Sequence, residues 1–220
     1  QFFINHGRNA PSPAMTKAFL INAARYLTGA SANDSLWSNN QGMGGMDLGT
    51  AFNTTPRVLR DQDPTDTFTA SGQTRTYTVG INTSAQPFRV TLSWTDAPGS
   101  TLGAAYNNDL NLTVTVNGQL YRGNVFDGAF SIPGGNADLR NNTESVFLPA
   151  GTTGVVSVVV TAFNLNSDGV PNQAPSIDQD FALVIYNAEE RDAPLIVSAG
   201  AEITAENCGL GNGAIDPDEQ

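Results

Sequence analysis

Residues 88–116, FRVTLSWTDAPGSTLGAAYNNDLNLTVTV, decide how the chain is read. Phe88-Arg89-Val90-Thr91-Leu92-Ser93-Trp94 alternates apolar and polar side chains, the period-2 pattern of a half-buried strand. Leu110-Asn111-Leu112-Thr113-Val114-Thr115-Val116 repeats it. Between them runs a loop with Thr95-Asp96-Ala97-Pro98-Gly99-Ser100 at one end and Asn107-Asn108-Asp109 at the other. If the two strands are neighbours, Asp96 and Asp109 meet at one rim of the sheet. Two carboxylates that close repel unless a cation lies between them, and a hard cation with oxygen ligands, calcium above all, would resolve the conflict. The same residues also suit a second reading, in which Asx side chains only initiate turns by bonding their own backbone.

Outward from this stretch the signals stay β. Residues 74–79, 119–121, 145–148, 155–163 and 181–186 carry β-branched and aromatic residues between Gly, Asn, Asp and Pro punctuation. Asn117-Gly118, between Val116 and Gln119-Leu120-Tyr121, is a strong hairpin signal. About seven or eight short strands predict a β-sandwich or jelly-roll barrel over residues 58–187, large enough to bury a core without disulfides. Residues 1–28 read as helical. Phe2-Phe3-Ile4 ends at His6-Gly7, then Ser12 is a candidate N-cap with Pro13 at the first helical position, and this second helix is expected to stop before Gly29. So short a helical pair must be packed on something. Trp37 and Met43, in an Asn- and Gly-rich stretch, are expected to cover the core from outside. Residues 188–220 read as a charged linker followed by the start of a further module near Cys208.

The 220 residues carry a formal charge of -11, with ten Lys plus Arg. That argues against nucleic-acid and anionic-membrane partners, which need basic patches. It fits an extracellular cation-binding protein, and a merely solvated acidic surface equally well. Cys208 is the single cysteine, so an internal disulfide is impossible. No run of eighteen apolar residues and no signal peptide occurs, and the chain opens at Gln1 as if cut from something longer.

Catalytic signals are sparse. His6 is the only histidine, and no Gly-x-Ser-x-Gly elbow or phosphate loop occurs. One His and one Cys far apart do not suggest a catalytic zinc site. Asp96 and Asp109 could form a glycosidase pair, but no aromatic sugar platform accompanies them. Taken alone, the chain reads as catalytically silent.

Three ordered motifs carry a resemblance. Gln1-Phe2-Phe3 with PSPAMTKAFLINAA, residues 11–24, resembles the subtilase segment that follows the catalytic serine, and residues 39–48, NNQGMGGMDL, resemble the stretch that closes that catalytic domain. Residues 88–99, Asn107-Asn108-Asp109-Leu110-Asn111-Leu112 and residues 141–147 resemble the C-terminal barrel of the oxidatively stable alkaline subtilases, itself similar to the P domain of the kexin and furin convertases. The resemblance implies a mainly β jelly roll preceded by a short helical remnant, residues 1–57, of an α/β subtilisin-like catalytic domain. It implies a secreted, bacterial serine endopeptidase whose triad lies upstream, so that the fragment itself is inactive. Its partners would be the missing catalytic domain and that enzyme's protein substrate.

The resemblance further implies bound calcium, with Asp96, Asn108, Asp109 and Glu144 as ligands and Asn107, Asn124, Asp127, Asn141 and Asn142 as second choices. Asn111 stands where relatives often have Asp. On this reading Phe2, Phe3, Phe19 and Leu20 face the missing domain. The segment from Cys208 resembles the opening of a further secreted β domain, with Asp218 in place of a Gly. The competing class is a free-standing adhesion or carbohydrate-binding jelly roll, which leaves residues 1–48 without a role.

Overall fold

The computed structural model describes residues 1–103 and 105–191. The expected further module near Cys208, and the linker from residue 192 on, lie outside the described residues. The described part is mainly β, with three short helices, α1 (Phe2–Asn5), α2 (Pro13–Asn22) and α3 (Leu48–Ala51). Ten strands follow: β1 (Arg57–Asp61), β2 (Thr74–Ile81), β3 (Phe88–Ser93), β4 (Asp109–Val116), β5 (Gln119–Asp127), β6 (Phe130–Pro133), β7 (Thr143–Leu148), β8 (Val155–Asn164), β9 (Ala182–Tyr186) and β10 (Ala188–Glu190). They form two curled sheets, ordered β1-β9-β3-β7 and β10-β2-β8-β4-β5-β6, which together make a half-barrel.

The strand pattern fills the space between the sheets. Leu110, Leu112, Val114 and Val116 of β4 and Val156, Val158, Val160 and Ala162 of β8 point inward from the larger sheet. Phe88, Val90 and Leu92 of β3, Val146 and Leu148 of β7, and Leu183 and Ile185 of β9 meet them from the smaller one. β4 and β5 turn through Asn117 and Gly118, both at positive φ (50° and 75°) as a two-residue hairpin requires. The two strands of the opening stretch are not neighbours in a sheet. β3 pairs with β7 and β9, while β4 pairs with β5 and β8, so the loop between them crosses from one sheet to the other.

The smaller sheet is buried on both faces because α2 lies across its outside. Ser12 caps α2, its Oγ accepting the Met15 N–H at 2.9 Å. Met15, Ala18 and Phe19 of α2 pack with Phe3, Ala51, Ala182 and Val184 in a second apolar cluster. Full burial of Met15 and Phe19 stabilises this contact by about 1.5–3 kcal/mol each. Phe3 and Phe19 thus pack against this chain's own sheet. Under the helix Asn22 Nδ2 donates to Thr91 Oγ1 and to the Val184 carbonyl, at 3.2 and 3.3 Å.

The helix ends at Asn22, several residues before the expected stop near Gly29. The Arg89 guanidinium, on β3, donates to the carbonyls of Asn22 (3.1 Å) and Ala24 (2.6 Å), and Arg25 exchanges main-chain hydrogen bonds with Gly45. A long-range cation and an isolated bridge therefore terminate the helix, where the sequence pattern alone would continue it.

Candidate metal centre

At one end of the half-barrel β5 parts from β4. The β4–β5 ladder runs from Val116/Gln119 only to Thr113/Arg122. Beyond it Asn124, at φ 61°, turns β5 toward β7. There the Asn124 side chain takes the place of a strand partner: Oδ1 accepts the Ser145 N–H (3.0 Å) and Nδ2 donates to the Thr143 carbonyl (2.8 Å). The parting leaves the Leu112 N–H without a β5 partner. Glu144 of β7 fills the gap, its Oε2 accepting that N–H at 2.7 Å. Residue 123 is Gly because a Cβ there would overlap both Oε2 and Cβ of Glu144.

Glu144 is 1% exposed, and its second oxygen, Oε1, is buried with no hydrogen-bond partner. On β4, Asn111 Oδ1 is also buried and unpartnered, on the face opposite the core-facing Leu110 and Leu112. Asp109 begins β4 at a bulge, where the register to β8 shifts between Asp109 and Leu110. Burial, and then the charges of Asp138 and Asp96, push the Asp109 carboxyl up to about 6. Burial raises Glu144 well above the carboxylate range, the Leu112 N–H opposes this, and Asp138 and Asp109 add to it.

Asp138 completes the group. Its carboxylate accepts from Arg140 N (3.0 Å), Asn141 N (3.2 Å), Asn141 Nδ2 (2.6 Å) and Asn124 Nδ2 (2.8 Å). Burial works against its charge, but these hydrogen bonds outweigh it and hold the carboxyl below its ordinary range. The result is one firmly ionised carboxylate beside two that resist ionisation, with one oxygen of Glu144 unused. The unpaired buried Glu144 Oε1 costs about 1–3 kcal/mol, and a hard cation, which takes acceptors only, would satisfy it and offset the like-charge repulsion.

The candidate ligands named from sequence take different places. Asp96 and Asp109 do share a rim, although their strands do not pair. The Asp96 carboxylate, however, accepts the N–H groups of Asn107 (2.7 Å) and Asn108 (2.9 Å), so it shapes the crossing loop. Asn108, 2% exposed, uses its whole amide on the chain: Oδ1 accepts from Asn166 N, Ser167 N and Ser167 Oγ, and Nδ2 donates to Ser167 O, Asp178 O and Gln179 Oε1.

Asn107 donates to the Ala97 and Pro98 carbonyls. Asn124 and Asn141 hold Asp138, and Asn142 accepts from Lys17 Nζ at 2.8 Å. Asp127 is exposed at the end of β5. Asp138 escapes a reading by strand ends because it lies in the Gly-rich loop before β7. Its one sequence signal is the Asp138-x-x-Asn141 spacing of a self-bonded turn.

Among the described residues no group of three or more His, Cys, Asp or Glu side chains is placed to hold a metal ion. A cation here must therefore draw on amide or main-chain oxygens beside the carboxylates, as calcium commonly does. A comparison with protein-family models finds no match, and a comparison with curated proteins finds none either.

Proposed function

We propose that this chain is the calcium-binding C-terminal β region of a secreted subtilisin-like serine endopeptidase, a stabilising accessory barrel whose parent enzyme carries the catalytic triad upstream. We read its fold as a jelly roll. The orders β1-β9-β3-β7 and β2-β8-β4-β5 support that reading, since each sheet alternates early and late strands as two interleaved Greek keys do. The subtilase-like segments at residues 11–24, 39–48, 88–99, 107–112 and 141–147 support the parentage.

The observation that carries the calcium reading is Glu144, a fully buried carboxylate with one oxygen on a β4 amide and the other on nothing. Asp109 and Glu144 would supply the charge and amide or main-chain oxygens the remaining ligands, while Asp96 and Asn108 hold the loop that presents Asp109. When bound, the ion supplies the positive charge that lets Asp109 and Glu144 ionise. The role would be structural: it would tie β4 to β7 where the β4–β5 ladder is broken.

Calorimetric titration of the chelator-stripped protein with calcium tests this. At about a hundredfold excess over the dissociation constant, bound calcium stabilises the fold by about 2.7 kcal/mol. Absence of binding heat together with an unmoved melting curve would refute the calcium reading. The parentage is tested separately, by whether the coding sequence ahead of Gln1 contains a Gly-Thr-Ser nucleophile motif.

A further inference from the structure

β1 and β10 are end strands of the two sheets, tied to each other by the Arg60–Glu190 ion pair. Among the described residues β1 pairs with β9 alone. The Gln62 N–H donates to the Phe181 carbonyl (3.0 Å), and the Asn187 N–H to the Pro56 carbonyl (2.8 Å). With the antiparallel register Arg57↔Tyr186 to Asp61↔Ala182, residues 56, 58, 60 and 62 therefore turn their main-chain groups toward β9. Those of Arg57, Leu59 and Asp61 turn away, to the free edge. There the Leu59 carbonyl accepts Arg8 Nη1 at 3.3 Å, longer than an ordinary N–H···O bond. This edge is the floor of a trough, walled by residues 2–9 on one side and by Glu189 and Glu190 on the other. Clefts of about 310, 450 and 360 Å³ open along it, and Arg8 and Leu59 line all three. The charge of the trough has a direction. At the start of β1 it is lined by His6, Arg8 and Arg57, with no carboxylate among the described residues. At the end of β1 it is lined by Asp61 and Asp63. Arg57 spends its guanidinium on the Thr50, Asn53 and Thr55 carbonyls, whereas Arg8 is exposed and makes only the long bond to Leu59. Phe3 and Leu59 supply an apolar stretch between the two ends.

We propose that this trough binds an extended peptide segment, which adds to β1 as a further antiparallel strand. The segment carries a carboxylate at the Arg8–Arg57 end and a cation at the Asp61–Asp63 end. Main-chain bonds to Arg57, Leu59 and Asp61 supply affinity, and the placed charges supply selectivity, as in other strand additions. Arg8 moves from the Leu59 carbonyl to the peptide carboxylate, which its planar fork can grip with two parallel bonds. That move leaves the Leu59 carbonyl to a peptide N–H. Apolar side chains of the segment lie over Phe3 and Leu59. A second copy of this chain has the same opposition of charges along its β1. Its β1 is recessed between the same walls, however, and two recessed edges do not reach one another, whereas a thin segment enters the trough. The inference does not depend on the calcium reading.

Fluorescence anisotropy on the whole chain tests this with a labelled peptide of alternating threonine and valine. Lysine stands at its N-terminal end and glutamate at its C-terminal end, so antiparallel addition sets the glutamate beside Arg8 and Arg57. The peptide should bind saturably. A second peptide with the two charges exchanged should bind about tenfold more weakly, the loss of one charge-assisted hydrogen bond. Arg8→Ala, at an exposed position, should weaken the first peptide by about the same factor. Leu59→Pro removes an N–H that points away from β9, a place where an edge strand tolerates proline. It should abolish binding of both peptides while thermal unfolding stays cooperative. If Leu59→Pro does not fold, the Arg8→Ala comparison decides alone. No saturable binding to the wild-type protein, or equal binding of the two peptides, would overturn the proposal. So would a peptide-free dimer in sedimentation that Leu59→Pro dissolves, because the edge would then belong to a second copy.

Discussion

Glu144 Oε2 and the Leu112 main-chain N–H are 2.7 Å apart, and this bond replaces the rung that β5 fails to supply to β4. The two oxygens of Glu144 thus have different surroundings, Oε2 on a backbone N–H and Oε1 without a partner, and substitutions should separate their roles under the calcium proposal. Glu144→Gln keeps an acceptor for Leu112, and its NH₂ group can donate to the acidic neighbours. The calcium-free protein should therefore melt at or above the wild-type temperature, while the rise on adding calcium disappears. Glu144→Ala strands the Leu112 N–H, which costs about 1–3 kcal/mol, and should melt lower with or without calcium. A Gln variant that melts as low as the Ala variant would show that the backbone bond is not what Glu144 supplies.

Gly123→Ala tests the same gap from the other strand. The added methyl would collide with Oε2 and Cβ of Glu144, both held by their surroundings. Overpacking of this kind costs about 1–3 kcal/mol. Denaturant unfolding should show the loss, and combining it with Glu144→Ala should restore part of it, because the colliding carboxylate is gone. Simple additivity of the two changes would mean the residues do not touch.

Asn108→Ala should be among the most destabilising polar substitutions in the loops. It leaves the N–H groups of Asn166 and Ser167 and the Gln179 amide oxygen without their partner, and each buried orphan costs about 1–3 kcal/mol. Asn108→Asp keeps the accepting oxygen but turns the donor toward Ser167 O, Asp178 O and Gln179 Oε1 into another acceptor, so it should be nearly as harmful. Urea midpoints measure both. In either variant that still folds, calcium affinity should change far less than in Asp109→Asn, because the Asn108 amide is wholly engaged with the chain.

The strands were legible because their patterning is local. Residues 110–116 alternate strictly, and the inward set Leu110, Leu112, Val114, Val116 is the one buried. Residues 88–93 were half legible: the apolar positions face the core, but Thr91 and Ser93 are buried as well, under a helix from a distant part of the chain. β1, β6 and β10 are short, and their pairing with β9, β5 and β2 is set by tertiary contact, which no local period announces. The site followed the same division. Asp109 stands at the start of a strand that the alternation announces, whereas Glu144 enters only through the resemblance. Asp138 could not be named, since its place depends on Asn124 bending β5 away. Asp96 and Asn108 look like ligands in sequence because Asx residues serve turns and cations alike, and only the hydrogen bonds reveal how each is used.

The last prediction is a reversal of pH dependence on adding calcium. In the calcium-free protein the Asp109 carboxyl lies at about 6, and Glu144 is displaced in the same direction. An unfolded carboxyl titrates near 4, so between about pH 4 and 6 the folded state binds more protons than the unfolded one. Stability from these groups is therefore present at the acidic end of that window and is lost as pH rises through it. Asp138, displaced the opposite way, loses its contribution only at lower pH, below this window. Asp180 is also raised, chiefly by burial, and contributes in the same direction as Asp109 whether or not calcium is present. The comparison that isolates the site is thus the difference between calcium and chelator. With calcium bound, Asp109 and Glu144 are ionised in the folded state, and acid must displace the ion. Melting temperatures taken from about pH 6.5 down to 4.5 should rise in chelator from these groups. In calcium they should rise less, or fall. Asp109→Asn should bring the two curves together. Parallel wild-type curves would mean that no cation competes with protons for these oxygens.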